Sequence, residues 1–418
     1  MYALAEKLFP ICRSITGNGF RSSLQLICDE VPDIQINEVA TGTQAFDWTV
    51  PKEWNIRGGG IYRTNGEKII DFNDSNLHIM GYSLPVNMEI GREDLLSHIY
   101  TQPSQPDWIP YVTSYYKERW GFCMSENQKR LLNDDVYRVV IDSDFKDGSL
   151  TYGELLVPGE TDEEILITSY LCHPSMANNE LSGPVVLVEL MKYVQQLNKR
   201  RYSYRFVINP ETIGSIVYCS RNLEALRKNV KAGFVLSCVG DERTYSYVES
   251  KYADSLADRV LQNVLRFHFP EYKRYSYLQR GSDERQYNSA GVDLPVCGFC
   301  RSKYNEYPEY HTSADNMGLI TPAGLEGSYD VMVKVFETLE NNYYYKMTCK
   351  GEPQLGKRGL YPTVSQKGSY DTVKAMMNFI AYADGWNDLI GISNIIGVPT
   401  TDLIKIKDTL LANKLISY

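Results

Sequence analysis

Histidine is scarce in this chain, 5 in 418 residues, so a site built on imidazole can draw on few positions. Long apolar runs are absent. No stretch reaches the ~20 residues that a bilayer-spanning helix needs. The first residues, Met1 to Lys7, have no basic segment leading into an apolar one, which argues against a signal peptide and for a cytoplasmic protein. Positive charge is also short. The 43 Lys and Arg fall below the 52 Asp and Glu, leaving a net charge of −9. That balance argues against nucleic acid or an anionic membrane as the main partner. Paired cysteine is lacking too: 9 is an odd, scattered count and reads as reduced, mostly buried thiols. Cys297 and Cys300 have redox spacing, but they fall in an apolar run at 294–299 that reads as a buried strand. No second pair completes a zinc knuckle, and no H-E-x-x-H is present.

What is present has the balance of an ordinary globular protein, 43% hydrophobic and 23% charged. The length predicts two or three domains. The organising stretch is 164–186, EILITSYLCHPSMANNELSGPVV. Residues 165–171 form a continuous apolar run, the signature of a buried strand. The run ends at His173-Pro174, and proline stops strand pairing. A polar loop at 175–180 follows, then an apolar helix at 185–197. A strand that delivers a histidine at its C-terminal end, before a loop and a helix, is a common site plan in open α/β sheets.

Around that stretch, helices are expected at 3–15 and 20–31. Four of the 5 Trp and a cluster of Pro and Gly then mark residues 42–122 as a small β-rich module, with short strands at 60–63, 68–71 and 77–82. Its far end, 113–123, packs Tyr116 and Arg119 into an aromatic and charged cluster that reads as ligand contact or core. From Asp135 the pattern alternates. Strands are expected at 137–141, 151–157, 165–171, 204–208, 233–239, 275–278 and 294–299, with helices at 185–197, 222–229, 255–267 and 322–339. This predicts a mixed sheet with helices on both faces. Residues 349–364 read as a Gly- and Pro-rich connector. Helices at 371–382, 388–396 and 401–411 then resemble a winged helix. From Asp371 onward there are four lysines, no arginine and five aspartates, so packing or dimerisation suits this module better than phosphate binding.

The chemistry is expected at strand ends. His173, Glu211, Asp241, Asp283, Glu284 and His311 each follow, or lie just beyond, an expected strand. Two imidazoles with carboxylates are the material of a zinc site, and a glutamate near the metal can take a proton from bound water. Taken singly, each of these residues reads more readily as a cap or surface group; the joint pattern carries the signal.

In the order of these segments the chain resembles the co-catalytic zinc aminopeptidases and carboxypeptidases, the zinc-exopeptidase fold. The resemblance rests on His173, ANNELSG (177–183), PETIGS (210–215), LSCVG (236–240), SDERQYNSAGVDLPV (282–296) and YHTSADN (310–316). It is closer still to bacterial aminopeptidase-like proteins associated with polysaccharide biosynthesis, through the β module, WGFC (120–123), PQLGKRGLYP (353–362) and the winged helix. The resemblance implies an aminopeptidase-like domain from 1–41 and 123–345, an inserted module at 42–122, and a connector plus winged-helix-like domain at 346–418. It also implies Glu211 as general base. The bridging aspartate of the family falls on Asn179, a second metal-binding glutamate on Thr212, and the strand-end aspartate on Ser237, with Asp241 as a stand-in ligand. Hence at most one zinc per chain is expected, through His173 and His311 with one carboxylate or water. Tyr116, Arg119, Asp283 and Glu284 are the expected substrate contacts. The implied activity is amide or peptide hydrolysis on a small-molecule or peptide-like substrate. The alternatives are a catalytically impaired ligand-binding protein and, behind it, a DNA-binding regulator. No nucleic acid and no membrane are expected as partners, and a homo-oligomer is left open.

Overall fold

The computed structural model describes residues 1–361 and 371–418. The expected connector therefore ends, at 362–364, outside the described residues. An eight-stranded sheet organises the chain. Its strands are β1 (Gln35–Ala40), β2 (Ser149–Val157), β3 (Glu164–Tyr170), β4 (Ser203–Asn209), β5 (Val230–Leu236), β6 (Ser246–Val248), β7 (Lys273–Tyr275) and β8 (Val296–Cys300). Their order is β1-β2-β4-β3-β5-β8-β6-β7. The centre, β4-β3-β5-β8, is parallel, and antiparallel pairs flank it.

β3 is buried at all seven positions, as a central parallel strand must be. Successive side chains alternate between faces. Ile165 and Ile167 pack with the helices Ser182–Gln196, Leu256–His268 and Pro322–Glu340. Leu166 packs on the other face with the helix Ile213–Asn229. The chain leaves β3 for β4 on one side and then crosses back to β5 on the other. β3 is thus the point where the strand order reverses, and a crevice opens at the C-terminal ends of strands there. The mixed sheet with helices on both faces is as expected.

Several local expectations differ. The strand expected at 275–278 forms at Lys273–Tyr275 and is followed by a 3-10 turn, Tyr277–Gln279, and the helix expected at 222–229 begins at Ile213. The first helix stops at Leu8, because Pro10 cannot donate a backbone hydrogen bond. Residues 77–82 do not form a strand; Asn76–His78 is a 3-10 turn, followed by isolated bridges at Ile79 and Gly81. The strand expected at 137–141 does form, as Val136–Lys146, but not in the main sheet. It pairs with Glu53–Arg63 and Val86–Gly91 in the four-stranded sheet of the β module. Its first eight positions alternate between exposed or half-buried and buried, the mark of a strand with one solvated face. Residues 136–146 therefore lie in the sheet of the inserted module, beyond its expected end at 122.

At the C-terminus, helices Asp371–Tyr382, Leu389–Ile396 and Thr400–Ala412 pack with a three-stranded sheet. Asp388 caps the second helix through Gly391 N–H, and Gly397, at φ 69°, ends it. The third helix lies against the main domain. Thr400 Oγ1 is 2.8 Å from Thr338 Oγ1, and Lys407 Nζ donates to Asn341 Oδ1 at 2.7 Å. Among the described residues no single helix is long and apolar enough to cross a membrane.

Candidate active site

Pro174 releases the chain from the sheet after His173. The next turn, Ala177–Leu181, is a π-turn that runs straight into the helix Ser182–Gln196. It folds Glu180 back onto the strand end. Glu180 Oε1 accepts the backbone N–H of Cys172 and of His173, the latter at 2.8 Å. Its Oε2 lies 2.7 Å from His173 Nδ1. The buried guanidinium of Arg13 clamps the same turn from behind, donating to the carbonyls of His173 (3.1 Å) and Leu8 (2.6 Å).

The other ring nitrogen of His173 faces Glu211, with Nε2 3.7 Å from Oε2. Burial opposes a charge on His173, but Glu180 and Glu211 outweigh it and raise the imidazole above its ordinary value. Desolvation raises the Glu211 carboxyl, and His173 offsets only part of that. Ser282 Oγ donates to Glu211 Oε1 at 2.8 Å. Glu211 follows β4 on a tight turn whose next residue, Thr212, has φ 64° and ψ −74°, strained for a β-branched side chain. Asp283 holds that turn. It accepts from Thr212 N (2.7 Å), Ser215 Oγ (3.0 Å) and Asn209 Nδ2 (3.1 Å). Burial, then the charge of Glu211, pushes Asp283 up to about 7.

His311 completes the floor. Its ring stacks on Tyr310 with centroids 3.9 Å apart and lies 5.2 Å from the His173 ring. Its Nε2 is buried without a hydrogen-bond partner. Burial, reinforced by His173, holds it well below the ordinary histidine value, so it is a neutral imidazole. The roof comes from the β module. Tyr111 N–H donates to His311 C=O at 2.8 Å, Ser313 N–H to Ile109 C=O at 2.8 Å, and Gln105 Nε2 to Pro308 C=O at 2.7 Å. The Tyr111 ring sits against both histidines, at 4.8 and 5.1 Å, and its hydroxyl pairs with Tyr115 at 2.9 Å. Between floor and roof is a cavity of about 360 Å³, lined by Trp48, Tyr115, Tyr116, Arg285, His173, Glu211 and His311 among others.

His173, Glu211 and His311 thus meet at one cavity. Asn179 lies behind it. Its Nδ2 donates to Tyr170 OH at 3.2 Å, its N–H to Asp315 at 3.0 Å, and its Oδ1 is buried without a partner. Tyr116 lines the cavity, but Arg119 does not; its guanidinium donates to Ser114 Oγ at 2.9 Å. Asp283 and Glu284 are fully buried supports rather than substrate contacts. Glu284 Oε1 accepts from Gly281 N (2.9 Å), Ser282 N (3.2 Å) and Tyr304 OH. Asp241 is no stand-in ligand. Its two oxygens are filled by Asn178 Nδ2, Ser302 N, Ser302 Oγ and Arg243 N, at 2.8–3.0 Å. Glu180, Arg13, Tyr111 and Tyr115 are the residues that sequence reasoning missed. Glu180 had a signal, since it stands one position after Asn179, where the family's charge is lost.

The donor set determines which metal the site fits. A co-catalytic pair needs bridging and terminal carboxylates. At those positions stand Asn179, Thr212, whose hydroxyl accepts from Arg285 at 3.0 Å, and Ser237, whose hydroxyl pairs with Tyr170. These residues do not fit a pair. The donors left at the cavity, His173, Glu211 and the unpartnered Nε2 of His311, are enough for at most one ion, and their ligand atoms are not all within 4.8 Å of one another. Among the described residues, the His, Cys and carboxylate ligand atoms within 4.8 Å of one another are those of Cys172, His173 and Glu180. That cluster suits protons better than a cation. Burial and the adjacent carboxylates push the Cys172 thiol well up, and the Arg13 charge already acts on Glu180.

Comparison with known proteins agrees with this architecture. Residues 2–342 match the family model described as a domain of unknown function, DUF4910, and residues 343–418 match a winged helix-turn-helix model. A protein of Clostridium acetobutylicum, described as a candidate polysaccharide biosynthesis protein with an aminopeptidase-like domain, is 47% identical over 395 residues, 94% of this chain and 90% of its own length. A crystal structure of a candidate peptidase from the same organism superposes with a TM-score of 0.93 at 45% identity, covering 100% of this chain and 95% of that one. A zinc aminopeptidase from Bacillus subtilis shares the fold, with a TM-score of 0.60 at 13% identity over 80% of this chain and 93% of its own. The chain belongs to the DUF4910 family, an aminopeptidase-like fold followed by a winged helix.

Proposed function

We propose that the chain is an amide hydrolase of the aminopeptidase-like type, acting on a small peptide-like or N-acylated substrate in polysaccharide formation. The observation that carries this reading is His173 held between Glu180 and Glu211 on the floor of a cavity roofed by Tyr111 and Tyr115. Glu211 has one oxygen fixed by Ser282 and the other turned to His173, and burial raises its carboxyl above the ordinary glutamate value, which makes it a better proton acceptor. In this reading it takes the proton of an attacking water as the C–O bond forms. It returns that proton to the leaving nitrogen as the C–N bond breaks. Glu180 Oε2, 2.7 Å from His173 Nδ1, favours a proton on that nitrogen and turns the other toward Glu211. Tyr111 and Tyr115 stay protonated, because burial pushes both well above the ordinary tyrosine value. They offer neutral hydroxyls to the substrate from the roof. A single zinc, if bound, would be held by His173, His311 and Glu211 or a water, and would polarise the amide carbonyl.

One observation favours a second reading, a binding protein without turnover: the family's carboxylate positions carry Asn179, Thr212 and Ser237. Turnover of aminoacyl anilides and N-acylated amino sugars, before and after zinc reconstitution, separates the two. Hydrolysis that is lost in Glu211→Gln supports the hydrolase. Undiminished hydrolysis in Glu211→Gln overturns the mechanism, and no hydrolysis with saturable binding selects the second reading. We read the winged helix as a packing module, since one face of its third helix is spent on Thr338 and Asn341.

A further inference from the structure

A second pocket adjoins the catalytic cavity, and its construction is unusual. Gln44–Ala45 and Trp48–Thr49 pair as a hairpin, with Ala45 opposite Trp48, so Phe46 and Asp47 are its two-residue loop. Such loops favour Asn or Gly, which accept left-handed backbone. Here Phe46 takes that conformation, at φ 54°, and the residue is 47% exposed. The chain thus bears strain and exposure together at one residue, a combination that points toward function. Beneath the hairpin is a pocket of about 370 Å³. Phe46, Trp48, Ile216 and Val292 form its apolar walls, and Asp47 and Gln286 its polar rim. Among the described residues, neither rim side chain is engaged in a hydrogen bond to the protein.

The two cavities are continuous in construction. Trp48 lines both, and its ring is met edge-on by Tyr116 at 5.5 Å. Ile213 and Ile216, one helical turn apart, line one cavity each, and so do the neighbours Arg285 and Gln286. A ligand in the second pocket would therefore reach past Trp48 toward Glu211.

We propose that this pocket is a subsite for a neutral sugar ring, so that the substrate is an N-acylated amino sugar with its amide over Glu211. This rests on the hydrolase reading given above. A pyranose has an apolar C–H face, which the rings of Phe46 and Trp48 can cover, and an edge of hydroxyls, which an acceptor and an amide at the rim can bond. An aliphatic side chain would leave Asp47 and Gln286 facing carbon. A phosphate would meet the Asp47 carboxylate. The reaction balances with water alone: water oxygen joins the acyl carbon, the C–N bond breaks, and the free amine keeps the proton passed by Glu211.

The test uses the full chain treated with EDTA and titrated with N-acetylglucosamine or N-acetylleucinamide, followed by tryptophan fluorescence and ligand-observed NMR. The sugar should saturate and bind at least tenfold more tightly than the leucine amide. Trp48→Ala should weaken sugar binding at least tenfold. Phe46→Gly should also weaken it while raising the melting temperature, because glycine relieves the turn; a folding defect would lower both. Equal or tighter binding of the leucine amide, or sugar binding unchanged in both Trp48→Ala and Phe46→Gly, overturns the subsite. Failure of the hydrolase reading looks different: sugar binding stays dependent on Trp48, with no N-acyl hydrolysis in the wild type.

Discussion

Asp241 and Glu211 stand at the C-terminal ends of neighbouring parts of one sheet, and both were natural candidates for chemistry. The structure gives them opposite work. Asp241 is 1% exposed and takes four hydrogen bonds, which tie the turn at Asn178 to the loop at Ser302. Glu211 takes one, from Ser282, and keeps its other oxygen for His173 and the cavity. A carboxylate with every lone pair filled holds loops together, whereas one with an oxygen to spare can accept a proton or a ligand. The same distinction marks His311 Nε2 and Asn179 Oδ1, buried and unpartnered, against Asp283, which accepts three hydrogen bonds.

The contrast is sharpest in a pair of variants. Glu211→Gln should cut turnover by roughly 10²–10⁴-fold, the usual worth of a general acid–base group, with little change in the urea midpoint. Asp241→Asn should do the reverse. Its new amide faces donors, so urea unfolding should show a loss of about 2–3 kcal/mol, with turnover per folded molecule unchanged. Exchange of these two outcomes would break the comparison. Glu180→Gln is a positioning change. The His173 titration, followed by NMR, should move to lower pH because one of its two carboxylate partners is gone, and an unmoved titration would remove Glu180 from the account. Asn179→Asp restores the missing charge, so calorimetric titration should show tighter zinc binding than the wild type, which should take at most one ion.

The smallest effect concerns pH, measured on metal-free protein. Burial pushes Asp283 up to about 7 and Asp315 up to about 6, against roughly 4 for an unfolded aspartate. The folded chain therefore holds these protons more tightly. Their contribution to stability is fully present below pH ~4 and is lost as pH rises through 6 and 7. Glu53 is the counterpart in the β module. Against the cost of burial, Arg21, Asn55 and Ser149 N–H bring it down to about 2. Its contribution is present above pH ~4.5 and is lost as pH falls through 2. Urea midpoints should thus decline from pH 5 to pH 8. A rise across that interval would contradict the buried assignment of Asp283 and Asp315.

The sequence by itself determined the elements whose cause is local. The apolar run of β3, the break at Pro174, the Thr321-Pro322 start of the last main-domain helix and the Asp388 and Gly397 ends within the winged helix depend on residues a few positions apart. The scarcity of histidine made His173 and His311 stand out, and the strand-end order placed Glu211 with them. Tertiary structure decided what joins across distance. Arg13 reaches the His173 carbonyl across 160 positions, and Tyr111 meets His311 across 200, with no periodicity to announce either. Glu180 was visible but could not be aimed, since its direction depends on a π-turn between two packed elements. Asp241 and Glu211 read alike as strand-end carboxylates because residue type fixes a side chain's capacity for hydrogen bonds, while only the packed fold decides how many of them are filled.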